Sequence, residues 1–169
     1  MRFLRFFRLS RLSCLMMLPL LLVAMSACQT TPPPGLTPEQ IAQLKDSGFS
    51  ETDAGWELNL DARLLFDISS ATLNQKEQEA LDKIARTLLS IGITQIIIEG
   101  HTDSTGTERY NHELSLKRAS MVADHLASAG MPSQDMEIKA VGSAQPIASN
   151  ATREGRRENR RTVIIIPSH

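Results

Sequence analysis

The sequence predicts a two-layer α/β sandwich, with helices laid over a small sheet. Two short β-branched runs carry much of that expectation, Ile96-Ile97-Ile98 and Val163-Ile164-Ile165-Ile166, of the kind that fills the middle of a sheet. Two stretches, around 81–88 and 119–126, repeat apolar residues every three or four positions, the period of a helix with one buried stripe. Gly92, Gly130 and Pro132 separate these units as turn formers do.

Each element has its own signal. Thr37-Pro38-Glu39-Gln40 reads as a helix start: Thr37 caps, Pro38 suits the first helical position and Gln40 completes a capping box. Ile41 and Leu44 give that helix a narrow apolar face and Gly48 ends it, so it is expected to stand apart from the main core. Residues 56–60 alternate apolar and polar, a strand signature. Asn74-Gln75-Lys76-Glu77 is a second capping box, followed by the stripe Leu81, Ile84, Ala85 and Leu88. Residues 95–99 make a strand expected to be central and covered on both faces. Ser115 is a candidate cap for the next helix, whose buried stripe is Ala119, Val122, Ala123 and Leu126. Strands at 136–141 and 162–166 complete the order strand, helix, strand, helix, strand, strand.

The N-terminus bears on location. Arg2, Arg5, Arg8 and Arg11 precede an apolar run, 14–25, shorter than the ~20 residues that a membrane-spanning helix needs. The pattern fits a secretory signal at 1–27. Met25-Ser26-Ala27-Cys28 resembles a bacterial lipobox, which would make Cys28 the lipidated first residue of the mature chain. Gln29 follows it, not the Asp that retains lipoproteins at the inner membrane, so that resemblance implies an outer-membrane anchor facing the periplasm. Loss of 1–27 leaves 142 residues, with 14 basic and 19 acidic side chains and a charge of −5. A mildly acidic chain argues against general nucleic-acid binding. Residues 29–35, with three successive prolines, read as an extended tether. The expected organisation is signal 1–27, lipidated cysteine, tether and short helix 28–50, and one globular domain 51–169.

The densest polar stretch runs from Glu99 to Ala119. Asp103 follows the isoleucine strand, at the C-terminal sheet edge where ligands of α/β folds bind. If Ser115 caps the next helix, Arg118 lies in its first turn, where free N–H groups and the helix dipole favour an anion. A carboxylate and a two-pronged donor together suit an amino-acid zwitterion. The alternative is a surface ion pair between Asp103 and Arg118, worth ~0–1 kcal/mol. A metal site from Glu99, His101 and Asp103 lacks a zinc-binding spacing, and no cysteine is available to it. A nucleophilic set of Ser104, His101 and Asp103 has its members too close in sequence to point at one another. No enzyme activity, cofactor or metal is expected; His112 and His125 are expected to face solvent.

"EGHTDSTGTERYNHELSLKRASMV" and "GSAQPIASNATREGRRENRRTVII" together resemble the OmpA-like peptidoglycan-binding domain, whose pattern is G-[HY]-T-D, G, N, L-S-x-x-R-A and N-R-R. The resemblance spans 56–166. It implies a mixed sheet of order 1-4-2-3 with the last strand antiparallel. It also implies that Asp103 and Arg118 bind the diaminopimelate of a peptidoglycan stem, a residue ending in the zwitterion described above. Asn111 then braces the loop or touches ligand, Gly106 belongs to the stem-binding set, and Arg160 lines the same groove. Where many members carry F-D-x-N, this chain has Phe66-Asp67-Ile68-Ser69, so Ser69 would donate to a carboxylate with a shorter reach than Asn. A narrower resemblance adds the lipobox, the tether, "GLTPEQIAQLKDSGF" and the strand containing Trp56. It is to outer-membrane lipoproteins that capture a YfiR-like periplasmic repressor of a diguanylate cyclase, and it implies such a protein partner.

Overall fold

The computed structural model describes residues 35–61, 73 and 75–167. The signal, Cys28, residues 29–34 of the tether, residues 66–70 including Ser69, and the predicted cap Asn74 lie outside the described residues. The elements are α1 (Pro38–Asp46), β1 (Ser50–Thr52), β2 (Gly55–Asp61), α2 (Gln75–Ser90), β3 (Ile96–His101), α3 (Glu108–Ser128), β4 (Met136–Gly142), α4 (Arg153–Asn159) and β5 (Arg161–Pro167). The sheet order is β1-β2-β5-β3-β4. β5 runs antiparallel to both neighbours and β3 parallel to β4. With β1 set aside this is the expected 1-4-2-3.

The fifth strand was not predicted. Ser50-Glu51-Thr52 is short and fully exposed, so it carries no alternation to read. It pairs with β2 through a two-residue hairpin closed at Thr52 and Gly55, with Gly55 at φ 129. α4 was also missed. All its residues are polar or glycine, and its start is set by Thr152, whose hydroxyl accepts from Gly155 N at 3.0 Å.

α1 departs from expectation in another way. Its capping box forms as read, with Thr37 and Gln40 bonding reciprocally. It does not stand apart from the core, however. Leu44 is fully buried, Phe49 and Trp56 are buried beside it, and all three belong to one cluster with Leu81, Leu88, Ile98, Val122, Leu126 and Ile164. Gln40 Nε2 also donates to Ile91 O at 2.8 Å, tying α1 to the end of α2. Two apolar positions suffice to dock a helix when Phe49 follows directly. The Phe49 N–H returns to Leu44 O at 2.9 Å across Gly48, whose φ is 88, and this helix stop folds Phe49 back under α1.

β3 is central, as read, but its two faces differ. Ile96 and Ile98 are buried against the helices, whereas Ile97 and Glu99 on the other face are half-buried. β5 is buried from Arg161 to Ile166. α3 packs on β3 and β4 so closely that a Cβ on Gly100 would lie 2.0 Å from Ser115 O. No helix among the described residues is long and apolar enough to cross a membrane.

Candidate functional site

The site gathers at the C-terminal end of β3. The strand bulges between Gly100 and His101, and Thr102 N donates to Gly142 O at 2.8 Å, so the chain leaves the sheet still pinned to β4. Asp103 comes next and is buried. Its Oδ1 accepts from Thr105 N at 2.8 Å, the local bond that lets Asp shape a turn. Ser104 N donates to Asn150 Oδ1 at 3.2 Å, joining this loop to the one before α4. That second loop is held by Asn159, whose side chain accepts from Ile147 N and Ala148 N and donates to Ala148 O and Asn150 Oδ1. The asparagine of the N-R-R motif is thus a fully buried knot that places Arg160.

Arg160 Nη1 donates to Asp103 Oδ2 at 2.5 Å. Burial alone would raise the Asp103 pKa. The bonds from Arg160 and Thr105, with the Arg160 charge, outweigh it and hold the carboxyl below its ordinary value. Asp103 therefore pairs with Arg160, and the direct Asp103–Arg118 ion pair weighed from the sequence is not formed.

Arg118 requires a correction. Ser115 does not cap α3; Thr107 does, accepting from Tyr110 N at 3.2 Å. α3 begins at Glu108, so Arg118 lies about three turns inside it, beyond reach of the terminal N–H groups and dipole. The earlier start was hidden because the first turns of α3 bury polar side chains, Asn111 and Ser115. Ser115 Oγ instead donates to His112 O at 2.8 Å and accepts from Gly142 N at 3.1 Å, locking α3 to β4. Arg118 is itself buried. Its pKa is lowered first by burial and then by the Arg160 charge, while the charges of Tyr110 and Asp103 act the other way. Asp103, Arg118 and Arg160 thus share one electrostatic environment.

A groove of 650 Å³ is lined in part by Gly106, Asn111, His112, Val141, Gly142 and Ser143; Asp103, Arg118 and Arg160 are not among its lining residues, so the structure does not place Arg160 in this groove. Asn111 and Gly106, both singled out from the motif, meet there. Gly106 has φ 95, a conformation that glycine adopts freely.

The histidines sort differently from expectation. His112 is exposed, as read. His125 does not face solvent: its Nε2 lies 2.9 Å from Asp82 Oδ1 and 3.1 Å from Gln78 O, bridging α2 and α3. His101 is buried, with Nε2 3.5 Å from Glu99 Oε2. Burial, then the charge of Arg161, pushes its pKa down to about 4, so it is neutral at pH 7. Among the described residues no group of three His, Cys, Asp or Glu side chains is arranged to hold a metal ion.

The model of the OmpA family matches residues 65–160. The outer-membrane lipoprotein YfiB of Pseudomonas aeruginosa is 44% identical over 149 residues, covering 88% of this chain and 89% of that protein. Among solved structures, the cell wall anchor of the T6SS from Pseudomonas aeruginosa superposes with TM-score 0.65 at 27% identity, over 78% of this chain and 96% of that one. The peptidoglycan-associated lipoprotein from Burkholderia pseudomallei gives TM-score 0.55 at 31% identity, over 60% and 86%. With the family model spanning more than half of its length and YfiB aligned along most of it, the chain belongs to the OmpA family.

Proposed function

We propose that the chain is an outer-membrane lipoprotein that binds peptidoglycan non-covalently through the diaminopimelate of the peptide stem. Its lipid would sit on Cys28, and the domain would face the periplasm. The observation that carries the reading is one buried carboxylate, Asp103, paired with half-buried Arg160 and within the electrostatic reach of buried Arg118, on a loop whose Gly106 lines a groove. An ammonium fits the carboxylate and a carboxylate fits a guanidinium fork, so both ends of the diaminopimelate zwitterion have a partner. The groove shared by Gly106 and Asn111 leaves room for the rest of the stem. Support also comes from the relatives, one named a peptidoglycan-associated lipoprotein and another a cell wall anchor. The site is read as a binding site, not as an enzyme's. Sacculus pull-down of wild type, Asp103→Asn and Arg118→Lys tests it, with melting temperature as the folding control. Both variants should stay folded and lose sacculus binding; folded variants that bind as wild type does would refute the site.

A second reading concerns signalling. The YfiB alignment covers 149 residues, well beyond the 65–160 of the family model, and therefore takes in sequence outside the binding domain. We infer that wall binding is coupled to capture of a YfiR-like periplasmic repressor through residues 36–49. Because Leu44 and Phe49 are core residues, deleting this segment would open the core. The test is therefore capture of a purified periplasmic repressor of this type by wild type and by surface variants at the exposed positions Glu39 and Asp46.

A further inference from the structure

The two edges of the sheet are protected unequally. β1 forms one with three exposed residues, short enough to discourage a further strand. β4 forms the other with seven, Met136–Gly142, and pairs only with β3 among the described strands. Its register with β3 is regular from Met136 to Ala140 and shifts only at the Gly100–His101 step. No proline interrupts it. A regular strand of this kind offers its unused N–H and C=O groups to another strand.

The side chains on the edge decide which strand fits. Four large apolar side chains are exposed among the described residues, Tyr110, Leu116, Ile138 and Ile147. Ile138, 39% exposed, is the one on a strand. It is the midpoint of Met136-Glu137-Ile138-Lys139-Ala140. Glu137 and Lys139 flank it on the opposite face of the sheet and bond each other at 3.5 Å along the strand. Read backwards, this segment keeps its apolar positions and exchanges its acid for its base. An antiparallel copy centred on Ile138 therefore sets Ile138 beside Ile138, Met136 beside Ala140, and Glu137 beside Lys139 twice. Lysine on an edge ordinarily discourages pairing, but this symmetry meets it with an acid. Moving the centre by one residue would set Glu137 against Glu137 or Lys139 against Lys139, so one register is favoured.

We propose that β4 is the contact between two copies of this chain, joined antiparallel about Ile138 into one continuous sheet. The two-fold axis stands normal to the sheet, so the helices of both copies lie on one face. β3 runs parallel to β4, so the two strand ends that lead into Asp103 point to opposite ends of the joined sheet. One strand from each copy makes a small contact, weak between free molecules. Acyl chains on Cys28 would hold the copies in one membrane plane and raise their effective concentration.

The test places a thiol at the centre of the contact in the full-length chain and oxidises cell envelopes with diamide. Ile138→Cys should yield an adduct of twice the chain's mass, because facing Cβ atoms of an antiparallel pair lie about 4.5–5.5 Å apart, a small adjustment from disulfide geometry. Ile147→Cys, 60% exposed but on a loop, should yield little. Wild type, whose own cysteines are Cys14 and Cys28, sets the background. Glu137→Lys or Lys139→Glu, added to Ile138→Cys, sets like charges opposite and should lower the yield roughly three- to tenfold. The two changes together re-form both pairs and should restore it. If Ile138→Cys does not fold, Glu137→Cys produced together with Lys139→Cys reads the same contact, since each faces only the other. Absence of the adduct in the folded variants overturns the proposal, as do equal yields at positions 138 and 147 or a yield indifferent to the charge changes. An adduct between the position-138 thiol and a different protein would give the edge to another partner and overturn it as well.

Discussion

At Asp103 a single carboxylate serves both the loop and the site. Oδ1 closes the turn through Thr105 N, while Oδ2 meets Arg160. Asp103→Ala would therefore disturb the loop as well as remove the charge, whereas Asp103→Asn keeps the turn acceptor and removes only the charge. Asp103→Asn should weaken stem binding roughly tenfold to hundredfold, as loss of a charge-assisted contact of about 1.5–3 kcal/mol implies. Arg118 is too buried to be treated as a surface charge. Arg118→Ala should cost stability as well as binding, and Arg118→Lys is the cleaner probe, since it keeps the charge and loses the fork. Both residues are marked by the motif, and the strand-end position of Asp103 is legible locally; the first-turn position expected of Arg118 is not what the structure has. Arg160 was expected only as a groove residue. That it pairs with Asp103 depends on a contact between residues 57 positions apart, which no local pattern encodes. His101 sets the acid response. Its folded pKa is about 4, below the ordinary 6.5. Between those values the unfolded chain takes up a proton that the folded chain refuses, so stability falls as pH drops through that window, by roughly 3 kcal/mol in all. His101→Tyr, the alternative that the family pattern admits, should flatten urea-unfolding stability between pH 6.5 and 4. A wild-type slope retained in this variant would assign the effect elsewhere. Asp103 acts lower: its depressed pKa gives stability present above the ordinary carboxylate value and lost only as pH falls through the lowered one.

Elements place these residues through two close approaches. α3 lies against β3 because residue 100 has no side chain; an added Cβ would meet the Ser115 backbone at 2.0 Å, and backbone cannot swing aside. Gly100→Ala should push α3 off the sheet, costing about 3 kcal/mol or more. Arg118 rides on α3 while Asp103 rides on the end of β3, so stem affinity should fall along with melting temperature. Retained melting temperature and binding would show that the contact is softer than its geometry. The G and the S of the motif were legible as letters, but their mutual fit was not. α1 gives a second case. Its caps were plain in Thr37, Pro38, Gln40 and Gly48, yet its burial was underestimated, since a helix with two apolar positions resembles a surface helix until Phe49 folds beneath it. Leu44 is fully buried, so Leu44→Ala should destabilise the domain by about 2–5 kcal/mol. Chemical denaturation measures this directly, and a loss below ~1 kcal/mol would mean that α1 stands apart from the core after all. β1 and α4 escaped the reading for the opposite reason: both are short and polar, and hydrophobic periodicity is silent about elements that bury little.

The whole molecule, on the proposed reading, is held at two points. One is the lipid on Cys28; the other is the stem site around Asp103. The two lie far apart in sequence, with 74 residues between them, and depend on unrelated chemistry: burial of acyl chains at one and paired charges at the other. Two attachments with no shared residue should fail independently. Cys28→Ala alone should leave the protein with isolated sacculi while removing it from outer-membrane fractions. Asp103→Asn alone should do the reverse, keeping the protein with the membrane after its hold on the wall is lost. Each single variant therefore keeps one anchor, and multivalency means that either anchor should suffice to retain most of the protein in the envelope. The double variant has neither and should appear free in the periplasmic extract. Salt separates the two points further: raised ionic strength should weaken the wall contact through its partly exposed Arg160 and leave the lipid contact unchanged. Fractionation of the four proteins at low and high salt reads all of this in one experiment. A double variant still bound to the membrane would locate the anchor outside Cys28. A double variant still bound to sacculi would mean that the wall is gripped by something other than the charge at Asp103.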